Sequence, residues 1–399
     1  KDVEVTAQQL FQAIKEGVIV PLTENYKSVS NNPALAEKIT YKFLHDRVQQ
    51  AAYNTILEKD RAEIHLAIGR LLQSDESDKR NDAKIFDVVN HLNKGESLLT
   101  DAIEIIALAN LNFEAGRKAK SASAFEPAFE YFNTAVGLLP KNAWERHYQK
   151  TLQFYNEAAE TAYLAVKTDD FEKYTQAIFK NASNTLDTLN AYIVKIAFYG
   201  SQGNHNKSLE TSFEILAKLG VKLPHKPNQL HVVSALIGTK IRLRGKSVDA
   251  LFNLPQMESE NWKAAMSVLS IVTGPAYIAN TNLFVLIVFK MIELSIKYGN
   301  NRFTSFGYAV LGMVLSGMMD LEGVKTYTEL SRKLLNAYPE DEQYCKVNYC
   351  ITTLNFLHHP IQNAQSLMYK NIQKGFDSGD FLYASYSAFY YTRDRKSVV

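Results

Sequence analysis

From Ile85 onward the apolar residues recur at the three-to-four spacing of an α-helix, and almost no alternating strand pattern interrupts them. A chain written in this one period can bury its apolar faces only by stacking helix on helix. IFDVVNHLNKG, Ile85 to Gly95, reads as a helix ended by glycine, and Asp101 to Pro140 reads as two to three helices. In the second stretch Ala124, Ala128, Tyr131, Phe132 and Ala135 set small residues against aromatics at helical spacing, and LLP closes the unit. Phe125 and Tyr131 are expected to be buried between units. Related cadences start at Thr168, run from Gln202 to Pro224 and from Ser316 to Pro339, and begin again at His358. Their turn residues give the period: Asp170 to Asn204 is 34 residues and Asp320 to Pro360 is 40. Both lengths suit helix-turn-helix arrays. The 116 residues from Asn204 to Asp320 would hold about three units.

The interlock of small and large residues, with a proline at the end, is how tetratricopeptide helices pack. The expected fold is therefore all-α, a tetratricopeptide-like α-α superhelix over 76–393, preceded by a smaller α/β segment over 1–75. In that segment Thr6 and Gln9 make a capping box, Leu10, Phe11 and Ile14 an apolar face, and Gly17 a helix stop. Val18 to Leu22 and Ile39 to Leu44 read as strands around a polar loop, Thr23 to Lys38. Helix, strand, loop, strand suits the tail of a winged helix and, equally well, a small α/β cap with no link to DNA binding. Asp46 stands where a helix N-cap belongs, and a further helix opens at Asp60 with Glu63 three residues on. Along it Ile64, Ala67, Ile68, Leu71 and Leu72 would form one buried stripe.

The wording of this stretch carries more than its pattern. FLHDRVQQAAYNTI followed by R-x-x-x-H-x-x-I-G-R-L-L resembles the segment that closes the ATPase module of signal-transduction ATPases with numerous domains. GRKAKSASA, WERHYQKTLQFYNEAAE and SGDFLYASYSA resemble the helical-repeat region of the same family, so the likeness reaches nearly to Arg393. It implies a parent with a nucleotide-binding module, a winged helix, the repeat array and often a sensor histidine kinase, many members also carrying a Ser/Thr-kinase domain. ATP and Mg²⁺ would bind in a module upstream of Lys1, with phosphotransfer outside these residues. His45, Asp46, Arg47, Gln49 and Gln50 would couple nucleotide state to the array. Lys1 in place of Met, and DRKSVV at the end, are expected to mark an internal piece of a longer protein, 394–399 being a non-native tail.

Candidate chemistry within the chain is sparse. KIRLRGKS, Lys240 to Ser247, has the Gly-Lys-Ser of a phosphate loop, but the first glycine of G-x-x-x-x-G-K-[ST] would fall on Lys240. His45-Asp46-Arg47 has the letters of a kinase catalytic loop in the wrong order, with Ala51 where the asparagine belongs. Cys345 and Cys350 lie five apart, about 140° around a helix, and so diverge instead of forming a zinc site with His358 and His359. Leu283 to Phe289 is apolar without a break, but Pro275, Asn280 and Asn282 cut the stretch before it and Lys290 ends it, too short for a membrane span; Ala264 to Ile296 reads instead as a core helix hairpin of the array. With 44 basic and 42 acidic residues, and only Lys15 against Glu4 and Glu16 on the first helix, nucleic acid is not an expected partner. Two cysteines offer no disulfide framework, so a reducing cytoplasm is expected.

The residues lead to a helical scaffold expected to have no catalytic, cofactor or metal site of its own, and the resemblance implies that it serves signalling. It would link neighbouring domains of one polypeptide, with room for a peptide or a small inducer on its concave face. An inducer-sensing region of an ATPase-type transcription regulator and a free-standing peptide adaptor are the alternatives.

Overall fold

In the computed structural model, which describes residues 10–22, 40–74, 84–338, 341–355 and 361–396, helices dominate throughout. The Thr6–Gln9 box, the Thr23–Lys38 loop, the division at 75–76, His358, His359, Pro360 and residues 397–399 lie outside the described residues. The chain forms two units, Lys1–Ala115 and Gly116–Val399.

The first unit starts with α1 over residues 10–15, stopped at Gly17, whose φ of +72° suits only a residue without a Cβ. β1 (Ile19–Pro21) and β2 (Tyr41–Phe43) pair antiparallel, Ile19 opposite Phe43. Then come α2 (Asp46–Thr55), α3 (Glu58–Ser74), α4 (Lys84–Lys94), a 3-10 turn (Glu96–Leu98) and the first part of α5 (Ala102–Ser121). Four local expectations shift. The cap of α2 is His45, still extended from β2 at φ −139° and ψ 143°, and Asp46 sits in the first turn. α3 begins two residues before Asp60. Phe11 is exposed. Most telling, Ile64 and Leu71 are exposed, and the buried face of α3 is His65, Leu66 and Gly69. Close approach of α4 decides this: a Cβ on Gly69 would lie 2.5 Å from Leu92 Cδ2, and one on Gly95 2.7 Å from Leu66 Cβ. The helices meet where side chains are missing, so the apolar stripe turns partly to solvent.

The second unit continues with α6 (Phe125–Gly137), a short α7 (Ala143–Arg146), α8 (Tyr148–Leu164), α9 (Thr168–Asn181), α10 (Leu189–Ser201) and α11 (His205–Lys218). After these come α12 (Gln229–Leu243), α13 (Val248–Phe252), α14 (Glu260–Ala279), α15 (Thr281–Tyr298), α16 (Thr304–Gly317) and α17 (Leu321–Ala337). The last three are α18 (Asp341–Asn355), α19 (Ile361–Ser378) and α20 (Phe381–Lys396). α8, α10, α14, α16 and α18 lie side by side in one layer, and each packs on the helix of the second layer, α9, α11, α15, α17 or α19, that completes its pair. This is a tetratricopeptide-like α-α array, as the periodicity predicts.

One turn is reused from pair to pair. Between α5 and α6, α8 and α9, α10 and α11, and α16 and α17, a left-handed residue (Ser123, Val166, Gly203, Met319) ends the first helix. The next N–H then reaches back five residues, Ala124 to Ala119, Lys167 to Ala162, Asn204 to Tyr199 and Asp320 to Leu315. That is a Schellman stop. Side chains of Asn204 and Asp320 cap the helix that follows, as their place in the period suggests, whereas Asp170 lies inside the first turn of α9.

The 116 residues from Asn204 to Asp320 do not hold three regular units. Two steps of the array, to α15 and then α17, are accompanied by an excursion, α12 and α13, that packs on the second-layer helices α15 and α17. Pro275 lies within α14 and does not cut it; the break falls at Asn280, whose side chain caps α15 through Leu283 N–H at 3.1 Å. Phe125 and Tyr131 are only half-buried, because α6 seats itself on Ala128, Phe129, Phe132 and Ala135. The largest fully buried side chains include Phe132, Phe154, Phe171, Tyr174, Phe306 and Tyr308.

Candidate functional site

The residues expected to couple modules occupy one turn. Leu44 N–H bonds to Val18 O at 3.1 Å, which carries the ladder up to His45, and His45 O then accepts from Val48 and Gln49 N–H to open α2. His45, Asp46, Arg47, Gln49 and Gln50 are all exposed, and no residue of α2 is buried. Gln50 bonds along its own helix, to Asn54. The structure brings the five together and leaves them facing solvent.

What ties α2 to the rest of its unit is a chain of rings that the sequence reading did not single out. Tyr53 Oη lies 3.0 Å from His65 Nε2, and His65 Nδ1 lies 2.9 Å from His91 Nδ1. Arg61 covers the Tyr53 ring at 4.8 Å and gives its Nε–H to Ile56 O. One nitrogen of the Nδ1 pair must donate and the other accept, so the pair requires at least one neutral ring. Burial, followed by the Lys94 charge, depresses both imidazoles below the ordinary histidine value; Asp87 opposes this in part at His91. The sign for stability follows. As pH falls through about 6.5, unfolded histidines take up protons before these two do, so the folded state is progressively disfavoured. Stability, measured by urea titration, should therefore fall between about pH 7.5 and 5.5. His91→Gln should flatten the drop; an unchanged slope would remove the pair from the titration. Histidines set beside Leu66 and Leu92, on the apolar faces of two successive helices, were the available signal.

The second unit offers a built cleft. Asn190 and Ile193 of α10, Lys263 and Ser267 of α14, and Asn301 and Arg302 before α16 line an open volume of about 500 Å³. Its floor depends on one corner. Gly299, at φ +101°, lets Asn300 N–H reach Pro255 O at 2.8 Å while Met257 N–H reaches Asn300 O at 2.8 Å. Asn300 Nδ2 also donates to Leu251 O, and Ser295 Oγ to its Oδ1. Asn301 is buried and its Oδ1 accepts from Phe303 N–H, which orients the Arg302 guanidinium over the Phe303 ring at 4.8 Å. Lys263 pairs with Glu260 at 2.7 Å. Outside the cleft lining, Lys346 of α18 donates to Ser270 Oγ of α14 at 2.7 Å. Two cations, Lys263 and Arg302, and several amides against one carboxylate, Glu260, make this a polar cleft suited to an anionic or hydrogen-bonding ligand.

The remaining motifs fall in a turn and in a helix interior. Lys246 and Gly245 form the turn between α12 and α13, and Ser247 caps α13 through Ala250 N–H. Cys345 and Cys350 are buried; Cys345 Sγ donates to Asn371 O, and burial pushes the Cys350 thiol up to about 12. Among the described residues there is no group of three His, Cys, Asp or Glu that could hold a metal, and no helix long and apolar enough to cross a membrane.

Fold and cleft define a helical-repeat region with a ligand-sized recess. No family model matches the chain. Over an alignment that covers 70% of its length, it is 26% identical to hybrid signal transduction histidine kinase G of Dictyostelium discoideum. The chain spans 9% of that relative. Among solved structures, a signal transduction ATPase with numerous domains and a tetratricopeptide-repeat sensor, from Pyrococcus horikoshii, aligns over 94% of this chain and 57% of its own. The identity there is 12% and the TM-score 0.28, so the architecture stands on the helices described above.

Proposed function

We propose that this chain is a helical-repeat region of a larger, cytoplasmic signal-transduction protein, and that it passes the state of one neighbouring module to another. The observation that carries this reading is the length of the sequence match to the hybrid histidine kinase, which runs through most of the array. Catalysis, ATP and Mg²⁺ belong to modules outside these residues. The exposed turn His45–Gln50 is the joint: α2 buries nothing and leans on one tyrosine, so a neighbour can re-aim it at small cost. Arg47 can hold a carboxylate or phosphate by two parallel bonds, which lysine cannot.

The test is phosphotransfer output of the full-length protein with ATP, with ADP and without nucleotide. Arg47→Lys should melt with the wild type yet lose the nucleotide dependence of output. Unchanged dependence at matched Tm would put the joint elsewhere. The Lys263–Arg302 cleft favours a second reading, in which the array senses a small ligand. Output that changes with an added metabolite in wild type, and fails to change in Arg302→Ala, would support it.

A further inference from the structure

Between Glu214 and Asp249 the sequence has no acidic residue and seven cations, Lys218, Lys222, Lys226, Lys240, Arg242, Arg244 and Lys246. In a chain of net charge +2 this is a strong local segregation. The structure places four of them, Lys240, Arg242, Arg244 and Lys246, on the excursion α12–α13, outside the stacking order of the repeats. α12 turns Leu236 and the buried Thr239 inward toward the array. Its outer side is also apolar: Leu230, Val233, Ile237 and Ile241, spaced three, four and four, are 78%, 50%, 54% and 68% exposed. An exposed stripe of this kind marks a contact surface.

A groove of about 420 Å³ runs beside the stripe, lined by Leu236, Ile241, Phe289, Leu311, Leu315 and Tyr327, with Lys240 and Arg244 at its rim. Nearby carboxylates are engaged: Asp249 by Lys333 at 3.2 Å, Glu293 by Lys290 at 2.8 Å, and Asp320 by Gly323 N–H at 2.9 Å. Lys240 and Arg244 still outnumber Asp320, the one carboxylate that lines the groove, so the rim presents net positive charge around an apolar trough.

We propose that this face docks an acidic amphipathic helix of a partner protein, its apolar side chains in the groove and along the Val233–Ile241 stripe, its carboxylates against Lys240, Arg244 and Lys246. The charge selects among occupants. A second copy of the chain would bring like-charged segments together. A flat anionic membrane would meet the ridge but leave the groove unfilled. A helix laid in the groove uses both.

The probe is a fluorescein-labelled helical peptide of about 18 residues, leucine at i, i+3, i+4 and i+7 and glutamate on the other face. Its control carries lysine for glutamate. Anisotropy titrations of the whole chain should show saturable binding of the acidic peptide only, weakened as salt is raised from about 0.05 to 0.3 M. Lys240→Glu with Arg244→Glu, and separately Ile237→Asp, should each weaken binding at least about tenfold at unchanged Tm, since these side chains are exposed. Four results would overturn the proposal: no binding, equal binding of both peptides, phosphatidylserine vesicles that capture the chain and exclude the peptide, or self-association in sedimentation that Ile237→Asp abolishes.

Discussion

Phe132→Ala should destabilise the second unit by about 3–5 kcal/mol, the range for emptying a buried aromatic site. Phe132 is fully buried, and its ring packs so closely on α5 that a Cβ on Gly116 would come within 2.9 Å of it. A helix cannot collapse into that space without moving the backbone of its neighbour, so most of the cavity should persist. Tyr131, one residue earlier, is half-buried, and Tyr131→Ala should cost much less. Urea unfolding followed by far-UV circular dichroism gives both numbers. In a stacked array the loss should show first as an early, local transition instead of a uniform shift. Equal effects of the two substitutions would mean that α6 does not seat itself on the Ala128–Phe132 ridge.

Gly299→Ala is the second large effect expected, about 2–4 kcal/mol from a single methyl group. The backbone there is at φ 101° and ψ 176°, a region left almost entirely to glycine. A Cβ would stand 2.1 Å from Pro255 O, which is backbone and is held by Asn300 N–H. Relief requires breaking that bond and the paired one from Met257 N–H to Asn300 O. Asn301 and Arg302 follow directly, so the cleft should open along with the loss of stability. Gly274→Ala on α14, where nothing lies within 4 Å of the added carbon, is the control. It should be neutral or stabilising by up to about 1 kcal/mol, because alanine is the better helix former. Comparable melting temperatures for the two variants would show that the Pro255–Asn300 corner does not constrain the fold.

The helices, much of their punctuation and the class of fold were legible before any packing was known. Periodicity is a local property, and so are caps: Asn204 and Asp320 bond to amides three residues on, Gly17 ends α1, and none of this needs a distant partner. The pairing of α14 with α15 was legible for the same reason, as two long apolar helices around a break. What the sequence did not determine is the phase of each helix and the company it keeps. Each residue turns about 100°, so a helix with apolar residues on two sides has two candidate faces. On α3 the choice fell to His65, Leu66 and Gly69 because α4 approaches where Gly69 leaves room, and only packing records that. The His65–His91 pair joins residues 26 apart, and the cleft draws on α10, α14 and the turn before α16. The α12–α13 excursion has the same helical period as the repeats around it. Only its packing on α15 and α17 shows that it stands outside their order, with its apolar stripe turned to solvent.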